Sequence, residues 1–266
     1  MKTLKTYAIL YLVFLYAPIF LLPLFAFNTS TIIAFPLTGF TTEWFTALLD
    51  ITEMHNALFN SLKIAVTSAV LATIFGIFGA MASTRYHFPG QKGIMGFIML
   101  PLVLPEIIVA VSLLVVILKL GMSTGSWSVI AGHTLICTPF AIAILNSAFA
   151  ALDPSLEEAA YDLGETRAST FRRVTLPLVM PGIVSALLIS FTISMDEFII
   201  AFFLTGADPT LPVYLFSMLR FPKLLPAVMA LGTILVVLSI LLITIAEIFR
   251  RRGAKRAGLK DTGGFL

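Results

Sequence analysis

Six long apolar segments constrain this chain more than any other feature of its sequence. A helix needs about 20 predominantly apolar residues to cross the hydrocarbon core of a membrane. The segments span residues 7–27, 57–83, 94–118, 127–150, 178–204 and 225–249. Only 12% of the 266 residues are charged and 59% are hydrophobic, whereas a soluble domain is about 25% charged. We therefore predict an all-α fold, a polytopic membrane bundle of six transmembrane helices.

The basic residues predict the topology, because Lys and Arg concentrate in cytoplasmic loops. With the N-terminus inside, thirteen of the 17 basic residues lie on the cytoplasmic side. The four on the opposite side are Lys63, Lys119, Arg220 and Lys223. Both termini are thus predicted to be cytoplasmic. We expect residues 1–252 to form the membrane domain and the glycine-rich residues 253–266 to form a flexible tail.

Several function classes are disfavoured by what the sequence contains. The net charge of +3 arises from short loops between apolar segments, which argues against nucleic-acid binding. No GxxxxGK[ST] phosphate loop occurs, so another polypeptide must bind the nucleotide if ATP drives this chain. The three histidines and the single Cys137 share no metal-ligand spacing, which argues against a structural metal. His133 lies one turn before Cys137 without a third orienting group, so an intramembrane enzyme is not favoured.

The loop between the fourth and fifth apolar segments is the most informative stretch. Asp153 can cap a helix that has a proline in its first turn, and Gly164 can end that helix. A second short helix can start at Ser169 or Thr170 and stop at residues 176–177. The first helix carries an apolar stripe at helical spacing, formed by Leu156, Ala159, Ala160 and Leu163. This stripe must be buried against a partner, or else the loop is a connector that folds back on its own bundle.

Seven residues in this loop keep a fixed pattern: Glu158, Ala159, Ala160, Gly164, Val174, Leu176 and Pro177. The pattern resembles the signature of permease subunits in bacterial ATP-binding-cassette importers. That signature reads Glu-Ala-Ala, three residues, Gly, nine residues, Ile, one residue, Leu-Pro, and Val replaces Ile here. The resemblance implies that the coupling loop 153–177 docks into a groove of a separate ATPase and transmits its closure. Ala159 and Ala160 would pack in the groove, Glu158 would pair at its rim, and Gly164 would make the turn.

The same resemblance implies a fold, partners and a location. The fold would be that of a type I importer permease in the bacterial inner membrane, surrounded by lipid. The partners would be a second permease in a heterodimer, two ATPase subunits and a periplasmic substrate-binding protein. ATP and Mg²⁺ would bind at the ATPase, so this chain would carry no cofactor and would not itself be an enzyme.

Acidic residues inside apolar segments form a second candidate site. A carboxylate at membrane depth costs at least about 2.5 kcal/mol, so it normally faces a cavity or a partner. Glu106 follows two prolines that should interrupt its helix. Ser194 shares a helical stripe with Glu197, and Thr192 shares the next stripe with Asp196. We predict that these five residues line the path of a cationic solute. The alternatives are a protonated Glu106 bonded to a carbonyl, and an acidic pair bonded to a partner subunit.

Further stretches resemble the polyamine branch of this family, the C-type subunit of spermidine/putrescine permeases. They are residues 39–45, 190–197, 211–214 and 217–220. In that branch the acidic pair is usually Asp-Asp, whereas Glu197 is the second member here. The resemblance implies import of polyamines. The alternatives are another small solute of related permeases, namely aminoethylphosphonate, an opine, thiamine or iron, or a stand-alone secondary transporter, for which a coupling signature would have no purpose.

Overall fold

The protein is helical over most of residues 2–256, which are the residues that the computed structural model describes. The α-helices are α1 (Lys2–Ala26), α2 (Glu43–Ala47), α3 (Thr52–Arg85), α4 (Gln91–Ile98), α5 (Glu106–Lys119), α6 (Ser126–Ala150), α7 (Ser155–Asp162), α8 (Arg167–Thr170), α9 (Leu176–Asp196), α10 (Ile199–Leu204), α11 (Leu211–Met218) and α12 (Leu225–Arg256). A π turn, Phe171–Thr175, joins α8 to α9. The predicted all-α fold is confirmed.

Within the described residues, four helices are long and apolar enough to cross a membrane: α1, α3, α6 and the continuous stretch from Arg167 to Asp196. Large apolar side chains cover their outer surfaces, for example Phe14, Phe78 and Leu188. A water-soluble protein rarely exposes apolar patches of this extent. The chain is therefore a multi-pass membrane protein.

The interruption predicted in the third apolar segment is confirmed, whereas a break in the fifth segment was not predicted. The third is divided into α4 and α5 around Pro101 and Pro105, since a proline lacks the N–H that a helix interior requires. The fifth is interrupted after Asp196, where Glu197 takes an extended conformation. The sixth helix, α12, continues to Arg256, past the predicted start of the tail. The rest of that tail, residues 257–266, lies outside the described residues.

The described parts of residues 1–52 and 215–266 form one compact unit. In it α1 packs along α12, and Gly232 lies against Leu22. The segment after α1 is held by Asn28, whose side chain accepts hydrogen bonds from Thr38 and whose carbonyl accepts the Trp44 indole N–H at 2.7 Å. The outer segment therefore folds into a compact element that contains α2.

Residues 53–214 form a second compact unit, which contains all the predicted site residues. Its core is built mainly from α3, α5, α6, α9 and α10. Helices α6 and α9 pack closely, and a Cβ added at Gly182 would lie 2.5 Å from the Ala148 Cβ. Small residues allow such close approach between membrane helices.

Segments that the predicted topology places on the same side of the membrane lie together within this unit. At one end, the Asn60 amide donates to the Asp208 carbonyl at 2.8 Å and its oxygen accepts the Ser126 hydroxyl. At the other end, Arg85 reaches the Leu152 carbonyl at 3.3 Å. The alternation of loops along the chain therefore agrees with the predicted spans.

Candidate functional site

Helix α7 has a defined cap at each end. At its start, the Asp153 carboxylate accepts the Ser155 N–H at 3.0 Å, as an N-cap does. This bond holds the pKa of the Asp153 carboxyl below its usual range. At its end, Gly164 has a φ of +86°. Its N–H donates to the Tyr161 carbonyl and the following N–H donates to the Ala160 carbonyl, which together form a Schellman motif.

The second short helix starts earlier than predicted and does not stop where predicted. Thr166, not Ser169 or Thr170, caps α8, because its hydroxyl accepts the Ser169 N–H at 3.3 Å. The helix then widens into the π turn and continues through Pro177 into α9. A proline in a regular helix clashes with the carbonyl four residues earlier, and a wider turn before it relieves that clash. The coupling loop 153–177, or coupling segment, is therefore continuous at its C-terminal end with the membrane-spanning helix α9.

The apolar stripe of α7 is divided between two surroundings. Ala160 is only 7% exposed, so this chain itself covers a residue that was predicted to pack in a partner's groove. Leu156, Ala159 and Leu163 are exposed, Leu163 to 86%, and so is Glu158. These residues leave an apolar surface with an acidic rim open to a partner. The remaining signature residues lie on the π turn and the start of α9: Val174 and Leu176, which are half-buried, and Pro177, which is exposed.

A network behind α7 involves residues outside the signature. Arg85, at the end of α3, has its Nε 3.0 Å from Oε2 of Glu157, in an ion pair without hydrogen-bond alignment. The other carboxylate oxygen accepts the Thr175 hydroxyl at 2.7 Å. A cavity of about 300 Å³, lined in part by Tyr161 and Arg167, lies beside the pair. In the sequence Arg85 was one of thirteen topology-setting charges, and nothing local pointed to a partner so far along the chain.

The acidic pair lies at the break between α9 and α10. Asp196 is the last residue of α9 and is exposed. Glu197 is buried, and its Oε1 accepts the Ile200 N–H at 2.9 Å. Glu197 therefore satisfies a backbone donor that the helix break leaves open. The two neighbouring carboxylates face different surroundings.

The stripe that contains Ser194 packs against α6. The Ser194 hydroxyl lies 2.7 Å from Nδ1 of the fully buried His133, and the Cys137 thiol donates to the Ser190 carbonyl at 3.5 Å. The sequence alone does not indicate this contact of His133, because its partner lies on another helix far along the chain. Ser194 therefore belongs to a contact between two helices within this chain.

The remaining pathway candidates are exposed. Thr192 lies on α9 with its hydroxyl bonded to the Leu188 carbonyl at 2.9 Å, on the stripe that leads to Asp196. Glu106 is the first residue of α5, and its carboxylate is within electrostatic range of Glu197. The structure thus separates an exposed polar set, formed by Thr192, Asp196 and Glu106, from a buried one, formed by Ser194 and Glu197.

The exposed amphipathic helix α7 is joined by the turn at Gly164 to a second helix that is continuous with a membrane-spanning one, and in a multi-pass bundle this arrangement is the one expected of the membrane subunit of a transporter. The chain belongs to the family of inner membrane components of binding-protein-dependent transport systems, whose sequence model matches residues 72–255. The match includes the coupling segment and all the predicted pathway residues. The predicted importer permease is thereby confirmed as the class.

Two relatives from Escherichia coli (strain K12) are similar over most of their length. The spermidine/putrescine transport system permease protein PotC is 35% identical over 243 residues, which are 91% of this chain and 91% of PotC. The putrescine transport system permease protein PotI is 36% identical over 231 residues, which are 84% of this chain and 81% of PotI.

Solved structures agree on the fold. A chain of a bacterial ABC transporter involved in the import of the acidic polysaccharide alginate matches with a TM-score of 0.71 and 16% identity, over 91% of this chain and 94% of that chain. A chain of the MetNI methionine ABC transporter matches with a TM-score of 0.60 and 18% identity, over 80% of this chain and 98% of that chain. At these identities the likeness shows the fold alone.

Proposed function

We propose that the chain is a permease subunit of an ATP-driven importer that moves polyamines, spermidine or putrescine, across the bacterial inner membrane. The observation that carries the proposal is the 35% identity with PotC over 91% of both chains. Two features of the chain support it: the fully spaced coupling signature, and the exposed carboxylates of Glu106 and Asp196 beside the two breaks in the membrane helices.

The importer is proposed to assemble from four kinds of contact. This chain pairs with a second permease, two ATPase subunits bind ATP and Mg²⁺ on the cytoplasmic side, and lipid surrounds the bundle. A loaded periplasmic binding protein docks on the outer face of the importer. The excess of basic residues on the side of the coupling segment supports this orientation, with both termini in the cytoplasm.

The docking surface for the ATPase is proposed to be the exposed part of α7. Leu156, Ala159 and Leu163 provide apolar area, and burying a leucine contributes about 1.5–3 kcal/mol before ordering costs. Glu158 lies beside them and can pair with polar groups at the rim of a groove. Closure of the ATPase then moves α7, and the continuous helix through the π turn carries that movement into α9.

A matched set of substitutions separates docking from folding. Glu158→Lys and Ala159→Leu alter the exposed surface, so they should reduce co-purification of the ATPase while the thermal stability of the chain is unchanged. Ala160→Leu alters a covered position, so it should lower thermal stability. A Glu158→Lys variant that assembles and transports normally would show that the coupling assignment is wrong.

The proposed solute path passes the exposed polar residues. Asp196 and Thr192 on α9 and Glu106 at the start of α5 are each exposed, and carboxylates along a path attract a polycation and raise its local concentration. The buried Ser194 and Glu197 support the path by fixing the end of α9 and the start of α10.

The deciding experiment is uptake of labelled putrescine and spermidine into cells that carry the intact operon, with and without this chain. We expect ATP-dependent uptake that disappears with the chain and is competed by unlabelled polyamine. No polyamine uptake at all, in cells where the chain is present and co-purifies with an ATPase, would refute the solute and keep the importer, which leaves aminoethylphosphonate, an opine, thiamine or iron. Uptake that survives ATP depletion would refute the importer in favour of a secondary transporter.

A further inference from the structure

We infer that Glu157, the residue directly before the coupling signature, holds the coupling helix to the membrane domain through Arg85 and Thr175, and so transmits its movement. The inference rests on the proposed function, because it concerns how movement of α7 reaches the membrane helices. Glu157 and Arg85 lie outside the signature, so the resemblance assigns neither of them a role.

The two neighbouring glutamates of α7 have opposite surroundings. Consecutive residues of a helix point about 100° apart. Glu158 is exposed, whereas the side chain of Glu157 is only 15% exposed and faces Arg85 and Thr175 of the same chain. One glutamate is therefore available to a partner, and the other is committed to contacts within the chain.

The Glu157 carboxylate joins three separate elements. Its Oε2 pairs with Arg85 at the end of α3, and its Oε1 accepts the hydroxyl of Thr175 in the π turn that leads to α9. Arg85 adds a fourth element, because its Nη2 donates to the Leu152 carbonyl just beyond α6. A displacement of α7 must therefore move these elements together or break the contacts.

Partial burial of the pair limits the screening of its charges. Its side chains are 18% and 15% exposed, so water and salt screen the charges less than at an open surface. Removing one member leaves the other charge partly buried without its partner, which is costly. The Glu165–Arg173 pair of the same segment is far more exposed and offers a natural comparison.

A transmitting role differs from a merely structural one in what it predicts. Without the Arg85–Glu157 pair, the exposed surface of α7 is unchanged and the ATPase can still dock. Movement of α7 would then be absorbed by the loosened contacts and would not reach α3 and α9. ATP hydrolysis should continue while import declines, so the readout is the amount of solute imported per ATP hydrolysed.

The test uses the complete importer, with all its subunits, in proteoliposomes, with labelled spermidine as the solute. Arg85→Gln and Glu157→Gln should each lower spermidine imported per ATP by about fivefold or more, the lower end of typical couplings between two sites. The double variant should be no worse than the worse single variant, because both act through one contact. Glu165→Gln, in the exposed pair of the same segment, should leave the ratio unchanged.

Three results would overturn the inference or its basis in different ways. An unchanged ratio in both single variants, with a wild-type importer that works, would refute the transmitting role alone. Less assembled complex with an unchanged ratio per complex would show that the pair is only structural. If Arg85→Gln does not assemble, Arg85→Lys takes its place. It keeps the charge but lacks the planar fork whose Nη2 and Nε reach Leu152 and Glu157, so its ratio should fall. A wild-type chain that neither assembles with an ATPase nor supports import would refute the proposed function itself.

Discussion

Gly164 ends helix α7 in a left-handed conformation, with a φ of +86°, and its replacement tests whether the shape of this turn governs transport. A Cβ added there meets nothing within 4 Å, so Gly164→Ala introduces no clash with neighbouring atoms. The penalty is confined to the backbone, where a residue with a Cβ costs about 1–2 kcal/mol in this region. Since every 1.4 kcal/mol is about tenfold in an equilibrium constant, the native turn should be populated about 5- to 30-fold less relative to its alternatives.

The assay is ATP-dependent uptake by the assembled complex, together with thermal unfolding of the chain. If only the native turn presents α7 correctly to the ATPase, uptake by Gly164→Ala should decline by up to that factor. Gly164→Asn should retain most of the uptake, because Asn tolerates the left-handed region better than other residues. A matched control is Gly90→Ala, because Gly90 has a φ of +80° and equally open surroundings but lies outside the coupling segment.

The comparison between the two glycines can refute this reasoning. Gly90→Ala should lose a similar amount of stability and keep its uptake. Wild-type uptake in Gly164→Ala would show that the turn does not govern coupling. An equal loss of uptake in Gly90→Ala would show that general destabilisation, and not the coupling turn, explains the effect.

Other positions give independent predictions. The hydrogen bond from the Ser155 N–H lowers the pKa of the Asp153 carboxyl in the folded chain. The ionised carboxylate therefore stabilises the folded state above the ordinary carboxyl pKa of about 3.9, and this stabilisation is lost as the pH falls through the lower folded pKa. Asp153→Asn should remove this component from the pH dependence of thermal unfolding. Gly132→Leu should destabilise by about 1–3 kcal/mol in thermal unfolding, because its Cβ would already lie 2.5 Å from Ile200, whereas Gly96→Leu, with nothing within 4 Å, should not. Asp196→Asn should raise the KM for spermidine uptake without loss of assembly, and unchanged uptake would remove Asp196 from the pathway.

The ends of the coupling helix were predictable because they depend on local chemistry. Asp153 caps a backbone N–H two residues away, and Gly164 supplies a conformation that other residues avoid. The start of the next helix was wrongly placed, because Thr166, Ser169 and Thr170 are equally suitable caps on local grounds. The continuation of this helix through Pro177 depends on the π turn before it, and no residue pattern in the sequence predicts that turn.

Of the two breaks in the membrane helices, one was predictable from local sequence and the other was not. Pro101 and Pro105 signal an interruption in the sequence itself, and the structure breaks the third segment there. The fifth segment carries no proline or glycine near residue 197. That break depends on Glu197, whose carboxylate caps the following helix from a buried position.

Apolar segment length, basic-residue placement and one spaced motif were sufficient to determine a multi-pass helical bundle of the importer permease class. They could also group residues into helical faces. Only the tertiary structure decided which face of each helix meets a neighbour: Glu157 is turned inward and Glu158 outward, and Ser194 is buried against His133 while Asp196 is exposed. The physical reason is that periodicity is a property of one helix, whereas the packing partners in α3 and α6 come from distant parts of the chain.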